Sequence, residues 1–209
     1  STGKEKIDRI LHRPMIVVFF TILLAIIGAH FHLSNPLQSF LAVLNVKNSW
    51  LSREIVFNIL TFFTCAALID QLGKPISVRP HLTTALGWFT IFFGSASIYC
   101  MSQIYLLPTQ PPWNHWVTML LFFGSALLLG GTSAAALLVM DTIFIQQHEA
   151  ELAGERSDIV LLNFGWLTGL IVAALILVIA LNGAQILMSR ELGGLAQVSL
   201  ALLLSLYRP

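Results

Sequence analysis

An all-α fold, a polytopic bundle of transmembrane helices, is what this sequence predicts, and three observations lead there. Of its 209 residues 56% are hydrophobic and 10% charged, and the mean hydropathy is +0.82, whereas an ordinary soluble domain carries about 25% charged residues. Several apolar runs reach the roughly 20 residues that a helix rising about 1.5 Å per residue needs to cross a hydrocarbon core of about 30 Å. These runs do not alternate apolar with polar residues, as the strands of a closed membrane barrel would. The net charge of +1 gives no reason to expect a nucleic-acid partner.

Six spans are expected within one transmembrane domain covering 1–209, at about 14–31, 52–72, 82–101, 116–140, 159–187 and 194–207. The first is a run of branched and aromatic residues behind a basic segment. The second follows Ser49 and Ser52, either of which could cap it. The third carries Thr83, Gly87, Thr90, Gly94 and Ser97 along one face, which lets another helix approach closely. Gly124 and Gly131 lie two turns apart on the fourth, and Gly165 and Gly169 form a GxxxG on the fifth. These are packing signals. The sixth is short for a span and is either a shorter helix or a truncated one. The chain opens on Ser1 with no signal-peptide pattern, so a sequence incomplete at its start is expected.

Successive connections alternate sides, so positive charges can be compared. Lys4, Lys6, Arg9, Arg13, Lys74, Arg79, Arg156 and Arg208 fall on one side, against Lys47, Arg53 and Arg190 on the other. The richer side is the cytoplasmic one by the positive-inside rule. The segment between the first two spans, HFHLSNPLQSFLAVLNVKNSWLSREI, then faces outward together with YLLPTQPPWNHW, whose Trp and Pro residues suit a rigid loop at headgroup level.

Among residues that could carry chemistry, Glu54, Asn58, Thr61 and Cys65 recur at helical spacing and make one polar stripe running inward on the second span. An ionisable group inside a membrane is expensive and points to function. The competing reading places Glu54 in the first turn, where a carboxylate complements the helix dipole, with Asn58 and Thr61 bonding neighbouring helices. Of the six histidines, His12, His81 and His148 lie at or beyond the cytoplasmic ends and His30, His32 and His115 at the outer ends. Each reads as an interfacial or loop residue, with haem ligation by a pair at one surface as the alternative. No zinc-ligand spacing such as HExxH or CxxC occurs, and no metal is expected in this chain. Cys65 and Cys100 read as buried thiols at depths too different for a disulfide.

The stretch HLSNPLQSFLAVLNVKNSWLSREI, followed by IYLLPTQPPWN and FFGSALLLG, resembles the membrane anchor subunit of the dimethyl sulfoxide reductase family. Its pattern is a His-Leu-Gly-x-Pro, a Ser-x-Leu-Ser-x-Glu-Ile further on, and later Tyr, Pro and Trp before another helix. The resemblance implies an eight-helix, haem-free subunit that oxidises quinol in a bacterial or archaeal cytoplasmic membrane. It would dock outside the membrane onto an iron–sulfur subunit carrying 4Fe–4S clusters, which feeds a molybdopterin catalytic subunit. The six spans here would be the family's second to seventh. His32 and Glu54 match the family's quinol-site histidine and glutamate and would be the catalytic pair. Tyr105 matches its tyrosine, and Asn58, Arg53 and Trp113 complete the expected contacts of a bound menaquinol. Ser34 and Asn35 replace the family's Gly and variable residue, Gln38 and Gln103 stand where arginine is frequent, and Gln185 stands near a frequent glutamate. A haem-b quinol cytochrome and a transporter or structural anchor without a redox site are the alternatives.

Overall fold

The computed structural model describes residues 3–31, 43–74, 80–110, 113–148, 165–191 and 193, without the side chains of 3–10, 30, 80 and 141–148. Five α-helices make up the described residues: α1 (Gly3–Phe31), α2 (Trp50–Leu72), α3 (Pro80–Ile104), α4 (Trp116–His148) and α5 (Gly165–Glu191). All five are long and apolar enough to cross a membrane. The count among the described residues is therefore five where six spans were expected. The stretch 194–207 lies outside the described residues.

Several helices outrun their predicted apolar cores. α1 starts at Gly3, well before position 14, although its membrane-length portion is Leu11–Ala29. Lys, Glu, Ile and Leu in that leading segment sustain helix, so the helix continues past the hydrocarbon boundary that hydropathy detects. Pro14 sits inside it, at the cost of one backbone hydrogen bond. α4 has 33 residues, about 50 Å at 1.5 Å per residue, longer than a hydrocarbon core of about 30 Å.

α2 packs with α3 most extensively, then α1 with α2 and α3 with α4, and α1 also meets α4. α2 and α3 run antiparallel. Trp50 meets Tyr99 edge to face at 5.8 Å, Asn58 meets Ser97, and the rings of Phe57 and Phe93 lie 6.4 Å apart. Thr61 lies against Gly94, where an added Cβ would be 3.9 Å from the Thr61 methyl. Phe19 stacks on Phe62 at 4.6 Å to join α1 to α2, and His12 reaches Gly73 at the far end of α2. This puts the basic start of α1 at the same end as Lys74, in agreement with the charge count.

Among the described residues the tightest interior positions are held by small side chains, with Leu68, Leu72 and Leu181 also buried, and many large side chains face outward. The most completely buried side chains include Cys65, Cys100, Ser52 and Ser102, while Phe20, Leu24, Phe92, Trp166 and Ile179 are exposed. In water this would be inverted. In lipid it is the expected arrangement, because hydrocarbon solvates large apolar side chains and helices associate through close approach. Both cysteines are free.

The two glycine pairs expected to mediate packing behave differently. A Cβ at Gly124 would come within 3.0 Å of Val178, and one at Gly131 within 3.0 Å of Ile171. The seven-residue spacing on α4 thus receives the seven-residue spacing on α5. Among the described residues, nothing lies within 4 Å of where a Cβ would sit at Gly165 and Gly169, nor at Gly87 on α3. On the small-residue face of α3, Gly94 and Ser97 meet α2.

Candidate functional site

The Trp50 end of α2 is set by a short turn. Residues 43–45 form a 3-10 turn, and Asn48 and Ser49 donate their backbone N–H groups to the Asn45 carbonyl at 3.2 and 3.1 Å. Ser49 then caps the helix: its Oγ accepts the Ser52 N–H at 3.3 Å. This decides between the two candidate caps and moves Glu54 out of the first turn, which contains no acidic residue. Glu54 is about 6 Å along the axis from Trp50, counting about 1.5 Å per residue. The reading of Glu54 as a first-turn charge complementing the helix dipole is thereby corrected, because that effect fades within the first turn.

What holds Glu54 is the stripe itself. Its carboxylate lies one turn from Asn58, close enough for the amide to stabilise it, and the Asn58 Oδ1 accepts the Ser97 hydroxyl of α3 at 2.7 Å. Ser97 is buried, and so is Cys100 one turn further out on α3, which lies within electrostatic reach of both Arg53 and Glu54. Thr61, the next member of the stripe, donates to the Phe57 carbonyl of its own helix at 2.7 Å. Of the two polar residues expected to bond a neighbouring helix, Asn58 does so by this route and Thr61 satisfies itself locally.

Arg53 points the other way. Its Nε donates to the Val46 carbonyl at 2.8 Å and a terminal nitrogen donates to the Lys47 carbonyl at 2.6 Å, with the guanidinium 4.3 Å over the Trp50 ring. The guanidinium fork suits paired acceptors, and its plane suits an aromatic face. Arg53 therefore ties the turn at Val46 and Lys47 onto the start of α2.

A second group forms at the start of α4. Tyr105, just past α3 and exposed, has its ring 6.1 Å from Trp113 and 5.2 Å from Phe122. The loop is closely bonded, with Gln110 N–H on the Leu107 carbonyl and Trp113 N–H on the Gln110 carbonyl, both at 2.9 Å. Thr118 Oγ1 donates to the Trp113 carbonyl at 2.8 Å, and His115 Nδ1 accepts the Val117 N–H at 3.3 Å. His115 thus serves as a helix cap.

Of the six site residues expected from sequence, Glu54 and Asn58 come together on one face of α2, with Arg53 beside them. Tyr105 and Trp113 pair with each other. His32 lies outside the described residues, and the side chain of His30 is likewise outside them. Trp50, Tyr99 and Ser97 were missed as members of this neighbourhood. Ser97 was read only as part of a packing face, and its partner is 39 positions away.

Comparison with known proteins bears on this arrangement. The family model described as DMSO reductase anchor subunit (DmsC) matches residues 1–188. Over 135 residues the protein is 32% identical to the C subunit of the anaerobic dimethyl sulfoxide reductase of Haemophilus influenzae, covering 62% of its own length and 46% of that relative's. Over 130 residues it is 29% identical to YnfH, an anaerobic dimethyl sulfoxide reductase subunit of Escherichia coli, covering 60% and 44%. It thus spans about half the length of the curated relatives it matches. No solved structure matches it. With the family match running over residues 1–188 and into the fifth helix, this chain belongs to the DMSO reductase anchor subunit family.

Proposed function

We propose that this chain is the membrane anchor and quinol-oxidising subunit of a molybdopterin reductase complex, taking electrons from menaquinol at the outer face of a bacterial or archaeal cytoplasmic membrane. The electrons pass to 4Fe–4S clusters of an iron–sulfur partner subunit and from there to a molybdopterin catalytic subunit. The observation that carries this reading is Glu54. It is a carboxylate inside a membrane-length helix, beyond the reach of the cap, and held by Asn58 at the outer end of a family-matched bundle.

Oxidation of a quinol to a quinone releases two electrons and two protons, so the site needs acceptors at the hydroxyls and a route outward. Imidazole titrates in the useful range, and His32 takes that role by its match to the family motif. Glu54 is the second acceptor, near enough to the outer end to pass its proton on. Asn58 orients it. Arg53 shapes the site by fixing the turn at Val46 and Lys47, and Tyr105 and Trp113 offer aromatic surface to the quinol ring.

The test is made in the assembled complex with His32→Ala and Glu54→Gln. Loss of quinol-dependent turnover, with dye-driven reductase activity of the partner retained, is the expected result. Normal quinol-dependent turnover in both variants would remove these residues from the mechanism.

A further inference from the structure

Hydroxyl side chains in these helices commonly donate to their own backbone, as Thr61 does to Phe57, Thr64 to Leu60, Thr90 to Leu86 and Ser102 to Tyr99. That choice is easy in lipid because the i−3 or i−4 carbonyl is always present. Ser97 departs from it. Its hydroxyl crosses to α2 and donates to the Asn58 Oδ1 at 2.7 Å, at a position only 4% exposed. The consequence lies in the asymmetry of an amide. With the oxygen occupied by the Ser97 donor, the Asn58 nitrogen is the end left for the Glu54 carboxylate, and a carboxylate can only accept. If the Ser97 hydroxyl is removed, nothing in that bond prevents the amide from turning its oxygen toward Glu54, where two acceptors would repel.

We propose that Ser97 is a positioning residue for Glu54, acting through Asn58: its hydroxyl sets the sense of the Asn58 amide, and the amide sets the direction of the carboxylate. The assignment rests on the quinol-oxidising reading above. It adds a residue on a second helix to the proton-accepting group, and it makes the α2–α3 contact part of the site. Ser97 does not touch quinol. Its effect falls on proton acceptance, which requires the carboxylate within hydrogen-bonding reach of the proton it takes, so turnover falls while quinol affinity is largely kept.

The experiment measures quinol-dependent turnover of the assembled complex in membranes, normalised to dye-driven activity so that only assembled complex is counted. Ser97→Ala is expected to lower kcat about three- to tenfold, the range of one lost hydrogen bond, with KM within about twofold of the parent. In an Asn58→Ala background Ser97→Ala is expected to have no further effect, because the link it works through is gone. An unchanged kcat, or losses that multiply in the double variant, would overturn the assignment. Where Ser97→Ala fails to assemble, Ser97→Cys keeps the volume with a weaker donor and is expected to lower kcat about twofold, again only when Asn58 is present. If Glu54→Gln turns over quinol normally, the quinol-oxidising role of Glu54 itself fails. If Glu54→Gln is inactive while Ser97→Ala behaves as the parent, only the positioning role fails.

Discussion

Glu54 and Arg53 are adjacent in sequence and do opposite work, because consecutive helical positions lie about 100° apart. Glu54 turns inward to Asn58, whereas Arg53 turns back over Trp50 to the carbonyls of Val46 and Lys47. The alternation was legible as far as the polar stripe, since periodicity shows which positions share a face. The partner of Arg53 was not, because backbone carbonyls carry no residue-specific signal and their placement depends on the loop conformation. Charge-assisted bonds to carbonyls are worth about 1.5–3 kcal/mol when well shielded and less when exposed, as here. Arg53→Ala is therefore expected to loosen the turn at 43–49, with faster amide exchange at Asn48 and Ser49 and about 1 kcal/mol lost locally. Arg53→Lys is expected to recover only part of this, lacking the fork and the flat face. Exchange at the parent rate in Arg53→Ala would show that the two bonds do not restrain the turn.

At the scale of helices, close approach is decided by which small residues find a partner. Gly124 and Gly131 of α4 accept Val178 and Ile171 of α5, while Gly165 and Gly169 of α5 meet nothing among the described residues. A GxxxG pattern permits close packing without choosing the neighbour. The β-branched side chains opposite Gly124 and Gly131 are stiff at χ1 and have little freedom to withdraw. Gly131→Val is accordingly expected to cost about 1–3 kcal/mol, the usual penalty of overpacking. It should lower the thermal midpoint of the detergent-solubilised complex. Gly169→Val at an open position should leave that midpoint close to the parent's. Equal shifts for the two variants would contradict the packing of α4 on α5. The interhelical bond between Ser97 and Asn58 belongs to the same scale: its average worth in a membrane is only about 0.6 kcal/mol, so its importance is geometric more than thermodynamic.

For the whole molecule, the charge count and the antiparallel order of α1 to α5 give one sidedness, with Lys74 and the start of α1 at one end and Asn48 and Trp113 at the other. The buried thiols make this testable without first removing them, because Cys65 is 0% and Cys100 2% exposed. Cysteines introduced as Lys74→Cys and Asn48→Cys are expected to label from opposite faces of sealed vesicles with a membrane-impermeant maleimide. Asn48→Cys should react from the outer face and Lys74→Cys only after permeabilisation. Labelling of both from one face would break the proposed orientation and, with it, the outward exit for protons from Glu54.

Composition and apolar run length were enough to specify a helical membrane bundle, because a backbone in hydrocarbon must satisfy its hydrogen bonds within its own segment. Helical periodicity was enough to align Glu54 with Asn58, and the motif around them was enough to indicate the family. Three matters depended on the tertiary structure. One was the cap at Ser49, which places Glu54 past the first turn. Another was the choice of Gly124 and Gly131 over Gly165 and Gly169. The last was the bond from Ser97 to Asn58. Each is a relation between a residue and the geometry around it, whether a loop entering a helix or two helices in one register. A period along a single helix shows which face a residue occupies, but only the register between helices shows what that face meets.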